Sequence, residues 1–151
     1  MYLEEESTMK TVKEMLQGKE GGILSIAPDS TVFEALKLMS DKNVGALPVL
    51  IGEKLVGIIS ERDYARKVIL EGRSSKDTLA REIMTKDVII VKPGNSNEEC
   101  MALMTENHLR HLPVIENDRV IGIISIGDVV KAIISDQHFT INNLQDYIMH
   151  G

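Results

Sequence analysis

The run Gly57-Ile58-Ile59-Ser60-Glu61-Arg62-Asp63 returns sixty-five residues later as Gly122-Ile123-Ile124-Ser125-Ile126-Gly127-Asp128. At the same offset Leu47-Pro48-Val49 meets Leu112-Pro113-Val114, Pro28 meets Pro93, and Leu38-Met39 meets Leu103-Met104. No gap is needed from Pro28 to Ile69, and non-identical positions keep their character: Val56 against Ile121, Lys54 against Arg119, Glu53 against Asp118. Self-similarity sustained over such a length marks a duplicated structural unit.

Each copy reads as the same series of elements. The apolar runs Ile23 to Ile26 and Val88 to Val91 stop at Ala27-Pro28 and Lys92-Pro93, which predicts two short strands. A helix follows each. Thr31 with Glu34, and Ser96 with Glu99, have the spacing of a capping box, in which a hydroxyl and a carboxylate each satisfy an orphan backbone N–H. Val32, Ala35, Leu36 and Met39 then fall on one helical face. The runs Ala46 to Ile51 and Leu55 to Ser60, joined by Gly52-Glu53-Lys54, predict a hairpin, and its twin turns through Glu116-Asn117-Asp118-Arg119. A second helix begins near Glu61 and ends at Gly72, and its counterpart begins near Ile126 and runs through Val130, Ile133 and Ile134.

The unit is therefore β-α-β-β-α, an α/β (α+β) fold in tandem, with two units packed about a pseudo-twofold axis so that each covers what the other leaves open. The expected organisation is an N-terminal helix over 1–22, with Thr11 to Leu16 leading into repeat one over 23–72. A polar linker and a short helix at Leu79 to Thr85 occupy 73–87, repeat two spans 88–135, and a C-terminal helix lies within 136–151. In that last segment Leu144, Tyr147 and Ile148 stand at helical spacing.

Composition narrows the function classes. Aromatics are 3% and Trp is absent, so the core is aliphatic, filled by Ile, Val, Leu and eight Met. A net charge of −6 argues against a nucleic-acid binder, which needs a basic face, and against an anionic membrane surface. No apolar run approaches the ~20 residues that span a bilayer. The acidic start Met1-Tyr2-Leu3-Glu4-Glu5-Glu6 lacks the parts of a secretory signal, and the single Cys100 fits a reducing compartment, so a cytoplasmic location is expected. Cys100, among apolar residues, reads as a core thiol.

The repeated turn admits two readings. Ser is a good N-cap and Asp in the first turn suits the helix dipole, so the motif serves a helix start in any case. The same geometry offers free N–H groups to a phosphate and a carboxylate to a vicinal diol, the two polar parts of a nucleotide's sugar phosphate. Other constellations are thin. His108 and His111 stand three apart with no further ligand near in sequence, so no metal is expected. Ser60 with Asp63 has no aligned His to act as base, so no enzyme is expected. Met39, Met84, Met101 and Met104 fall on predicted helices as core.

The whole pattern resembles a CBS domain pair, the Bateman module, over roughly residues 10 to 136. The run Ser60 to Lys67, followed by Gly72-Arg73-Ser74-Ser75, is similar to small stand-alone CBS-pair proteins. The resemblance implies clefts that bind AMP, ATP, NAD(H) or S-adenosylmethionine, dimerisation through the helices, and a regulated partner protein. Asp63 and Asp128 would hold ribose hydroxyls, and Ser60 and Ser125 would touch ribose or phosphate. Ile26 and Ala46 in copy one, and Val91 and His111 in copy two, would meet the base. The copies differ at Gly45-Ala46 against Arg110-His111 and at Arg62 against Gly127. Arg62, Arg110 and His111 are thus candidate phosphate contacts, and the two sites are expected to prefer different ligands. The alternative is a dimerisation scaffold whose clefts are vestigial.

Overall fold

The computed structural model describes residues 9–19 and 22–135. In chain order the elements are α1 (Val12–Gln17), α2 (Val32–Lys42), β1 (Ala46–Ile51), β2 (Lys54–Ser60), α3 (α-helical over Glu61–Tyr64, then a π-helical turn over Ala65–Ile69), α4 (Ala80–Ile83), α5 (Asn97–Asn107), β3 (His111–Glu116), β4 (Arg119–Ser125) and α6, a helix over 126–135. The C-terminal helix expected within 136–151 lies outside the described residues.

The duplicated sequence folds as a duplicated structure. Thr31 Oγ1 accepts the Glu34 N–H at 3.1 Å while the Glu34 carboxylate accepts the Thr31 N–H at 2.8 Å, and Ser96 with Glu99 does the same at 3.1 and 2.8 Å. Both helices end on a left-handed residue, Asn43 and His108. β1 pairs antiparallel with β2, and β3 with β4, in identical registers, each with a bulge after Val49 or Val114. The hairpin turns differ in residue type and in backbone conformation. Gly52 takes positive φ in the first, whereas Asn117 and Asp118 both do in the second, and all three residue types tolerate that region.

The first strand of each unit is shorter than the sequence suggests. It is reduced to one parallel bridge, Ile26 with Val49 and Val91 with Val114. Ile26 N–H donates to Pro48 O at 3.1 Å, and Leu50 N–H donates to Ile26 O at 2.9 Å. Extending this ladder backward would need an N–H from Pro48, and forward one from Pro28. Neither has one, and Pro113 and Pro93 impose the same limit on the second copy. The prolines that announce the strands also end them.

The short helices exchange partners. α1 precedes repeat one, yet Val12 and Met15 pack in the core of repeat two with Val91, Cys100, Met104, Leu112 and Ile124. α4 precedes repeat two, yet Ala80 and Ile83 pack in the core of repeat one with Val32, Met39, Leu47, Ile59 and Val68. Hydrogen bonds fix the exchange at corresponding points. The first N–H groups of α1 donate to Asn95 O at 2.8 Å and Pro93 O at 3.0 Å; those of α4 donate to Ser30 O at 2.7 Å and Pro28 O at 3.0 Å. The two repeats, related by an approximate twofold axis, are thereby laced together. Cys100 is fully buried in this core, and burial, with Glu99 beside it, pushes its thiol pKa up to about 11.

Close packing of the exchanged helices uses two glycines. A Cβ at Gly57 would lie 2.6 Å from Met84 Sδ and 3.0 Å from Thr85 O, and one at Gly122 would lie 2.7 Å from Leu16 Cδ2. Leu16 can swing its terminal methyl away, whereas the Thr85 carbonyl is backbone. Gly57→Ala is therefore expected to cost about 1–3 kcal/mol of unfolding free energy, and Gly122→Ala less, as read from urea denaturation. Met84→Ala in the Gly57→Ala background should show a favourable coupling energy, because the two side chains compete for one space. Equal costs at the two glycines with no coupling would contradict the packing described.

Candidate functional site

β2 and β4 each deliver a serine to the start of a helix. Ser60 Oγ accepts the Asp63 N–H at 3.1 Å, and Asp63 Oδ2 accepts the Ser60 N–H at 2.9 Å and its hydroxyl at 3.1 Å. Ser125 Oγ accepts the Asp128 N–H at 3.2 Å, and Asp128 Oδ2 accepts the Ser125 N–H at 2.8 Å. Both Ser–Asp pairs are thus complete capping boxes. The motif therefore has a structural role in both copies.

The two turns differ in how the second carboxylate oxygen is used. Lys67, one helical turn on, pairs with Asp63 Oδ1 at 3.2 Å and also donates to Ile83 O at 2.8 Å. Both oxygens of Asp63 are then engaged. Asp128 instead pairs with Lys19, which approaches Oδ2 at 2.9 Å and donates to Ile123 O at 2.8 Å. Among the described residues every hydrogen bond to Asp128 falls on Oδ2, which leaves Oδ1 open.

The free edges of the hairpins differ in the same sense. Ile58 N–H and C=O both pair with the backbone of Thr85, at 3.0 and 2.9 Å, so the α4 segment is zipped onto β2. On β4, among the described residues, the equivalent Ile123 carbonyl accepts from the Lys19 ammonium.

Beside that edge lies a cavity of about 420 Å³, within the range of small-molecule sites. One wall is repeat one, through Gly22 to Leu24 and Asn43 to Pro48; the other is repeat two, through Ile121 to Ile123, Ser125, Asp128 and His111. Leu16 and Lys19 close one side. Gly45 permits the approach of the walls, because a Cβ there would sit 3.3 Å from the His111 ring and from Glu61 Oε1.

Electrostatics sharpen the picture. Burial, the largest single influence on Asp128, pushes its carboxyl up, but the Ser125 N–H and the Lys19 ammonium outweigh it and hold the pKa below the ordinary 3.8. His111 is pushed below its ordinary 6.5, first by burial and then by Lys19, with Asp128 opposing and Arg110 adding to the fall. Burial and Lys19 thus favour the neutral ring.

The candidate residues do not group by copy. Ala46 of repeat one shares the cavity with His111, Ser125 and Asp128 of repeat two. Ile26 and Val91 are buried with backbone N–H and C=O both engaged in their bridges, and it is Leu24 that faces the cavity. Ser60 and Asp63 lie at the other turn. Arg62 reaches across to His108 O at 3.4 Å, and the Arg110 carbonyl accepts the Ile126 N–H at 2.8 Å. Neither arginine lines the cavity. Among the described residues no three His, Cys, Asp or Glu side chains gather as a metal would require, and no helix is long and apolar enough to cross a membrane. Lys19 and Leu24 escaped the sequence reading. Lys19 precedes the matched runs, so comparing copies gives no signal for it, whereas Leu24 sits in the run Ile23 to Ile26 that matches Val88 to Val91, of which only Ile26 stands as a candidate.

This duplicated architecture has known counterparts. The family model described as CBS domain matches residues 20–70 and again 80–135. The chain belongs to the CBS domain family. The mitochondrial CBS domain-containing protein CBSX3 of Arabidopsis thaliana is 43% identical over 150 residues, 93% of this chain and 73% of that one. A CBS-domain protein from Burkholderia ambifaria superposes with a TM-score of 0.81 at 50% identity, over 85% of this chain and 96% of its own. The fold is shared, at 24% identity and a TM-score of 0.73, with a CBS domain pair solved in complex with 5′-methylthioadenosine and S-adenosyl-L-methionine; the match covers 83% of this chain and 96% of that one.

The depressed His111 value has a measurable consequence. The unfolded chain takes up a proton near 6.5, whereas the folded ring resists it. His111 therefore contributes stability above 6.5 that is lost as pH falls toward its folded-state pKa. Proton NMR should find the ring titrating below 6.5, and His111→Gln should flatten the fall in stability over that window. A midpoint at or above 6.5 would contradict the packing of the ring against Gly45 and Lys19.

Proposed function

We propose that this CBS pair is a regulatory module whose cavity beside Asp128 binds an adenine nucleotide of the AMP, ATP or NAD(H) class and signals the occupancy to a partner protein. The observation that carries the reading is the Asp128 carboxylate. It is held ionised at the cavity wall by Ser125 and Lys19 while Oδ1 remains open, which suits the diol of a ribose. Gly127 keeps the first turn of α6 free of a side chain, so a phosphate can approach the helix N-terminus. Leu24 and Ile121 offer apolar faces to a base. A CBS pair of the same fold carries two adenosine ligands, which supports the ligand class.

Binding there would touch both repeats at once. A ligand that prefers one mutual arrangement of the repeats shifts the population toward it, and this is the signal a partner could read. We also propose a homodimer formed through the helices, where Phe33, Leu70, Val130 and Ile134 are exposed. A cytoplasmic location is part of the same proposal, although the Arabidopsis relative is mitochondrial.

The scaffold reading has one observation in its favour. Asp63 is fully engaged as a cap and by Lys67, with the α4 segment zipped along its strand edge. We assign the vestigial role to that turn alone, and the ligand to the Asp128 side.

Thermal unfolding with AMP, ATP and NADH tests this. A true ligand at about 100 times its dissociation constant should add roughly 2.7 kcal/mol. Asp128→Ala should abolish the shift, and Asp63→Ala should preserve it. No shift with any of the three, or a shift insensitive to Asp128→Ala, would leave the scaffold reading for the whole molecule.

A further inference from the structure

The cavity holds an unusual cation. Lys19 comes from the segment between α1 and repeat one, outside the duplicated pattern, and yet it is bonded into the turn of repeat two. The exchange of α1 onto repeat two is what brings it there. Its ammonium has three N–H donors. One goes to Asp128 Oδ2 at 2.9 Å and one to Ile123 O at 2.8 Å. Among the described residues the third has no acceptor, on a group 38% exposed beside an Asp128 carboxylate that is 20% exposed. Among the residues lining the cavity Lys19 is the one side chain with a fixed positive charge, since His111 is held neutral and neither Arg62 nor Arg110 lines it.

We infer that Lys19 is the specificity-determining residue of this cleft and makes it select adenosine ligands that carry a phosphate on the 5′ carbon. The inference rests on the nucleotide reading above and adds the charge the ligand must bear. With a ribose diol on Asp128 Oδ1, the 5′ substituent leaves the sugar beside the same carboxylate and within the field of the ammonium on its other oxygen. A phosphate there accepts a charge-assisted hydrogen bond from the third donor. An uncharged 5′ group gains nothing from Lys19, and a cationic sulfonium is repelled. The arginines that the sequence comparison nominated for this task are thereby replaced by a lysine with no counterpart in the other copy.

The test is calorimetry of AMP and of adenosine, which lacks the phosphate, on the wild-type chain, Lys19→Gln and Lys19→Arg. A lost charge-assisted hydrogen bond is expected to weaken AMP about tenfold in Lys19→Gln while adenosine changes less than about twofold. Lys19→Arg keeps the charge and should keep most of the preference for AMP. In the ligand-free protein the His111 NMR midpoint should rise in Lys19→Gln, because the cation that depresses it is gone. AMP and adenosine weakened in parallel, or an unchanged preference, would overturn the inference while leaving nucleotide binding intact. An unmoved His111 midpoint would show that Lys19 does not reside at the cavity. Failure of the wild type to bind either compound would overturn the nucleotide reading itself, and this inference with it.

Discussion

Each repeat of this CBS pair is too small to close its own core, and the structure depends on how that deficit is met. The helix that completes repeat two is α1, which precedes repeat one, and the helix that completes repeat one is α4, which precedes repeat two. Val12 and Ile83 are among the most deeply buried side chains, so neither half can be withdrawn without opening the other's core. Other features follow from this exchange. Gly57 and Gly122 lack a Cβ where Met84 and Leu16 must pass, and the loops after Pro28 and Pro93 turn their carbonyls toward the incoming helix starts.

The exchange is symmetric in the core and asymmetric at the surface. After α4 the chain runs along β2 and pairs with Ile58 through its backbone. After α1, Lys19 donates through its ammonium to the Ile123 carbonyl on β4. The Ser–Asp pair stands in two electrostatic settings, with both oxygens of Asp63 engaged and, among the described residues, one of Asp128 open. Two copies of one motif thus meet two fates because of residues outside the motif. A cavity walled by both repeats and by the α1 segment is well placed to report a ligand to the whole molecule.

Much of this was legible in the sequence, because it is local. Capping boxes at Thr31 and Ser96, the serine N-caps at Ser60 and Ser125, the hairpins, and the glycine that ends α3 are set by neighbouring residues, and all appear where the spacing places them. The first strands were overread. Pro28 and Pro48 each look harmless alone, and only their placement either side of Ile26 shows that the ladder cannot continue past the two bonds of that residue. The grouping of the site was hidden for a different reason. Ser125 and Asp128 face Ala46 rather than Val91 because the repeats pack through the exchanged helices, and no periodicity within a copy encodes that. Lys19 was invisible because it has no twin.

The central claim is that duplication has left one operative cleft, on the Asp128 side. Native mass spectrometry of the intact protein titrated with AMP counts ligands per chain directly. Saturation is expected at one nucleotide per chain. Two nucleotides per chain, filled with equal affinity, would contradict it.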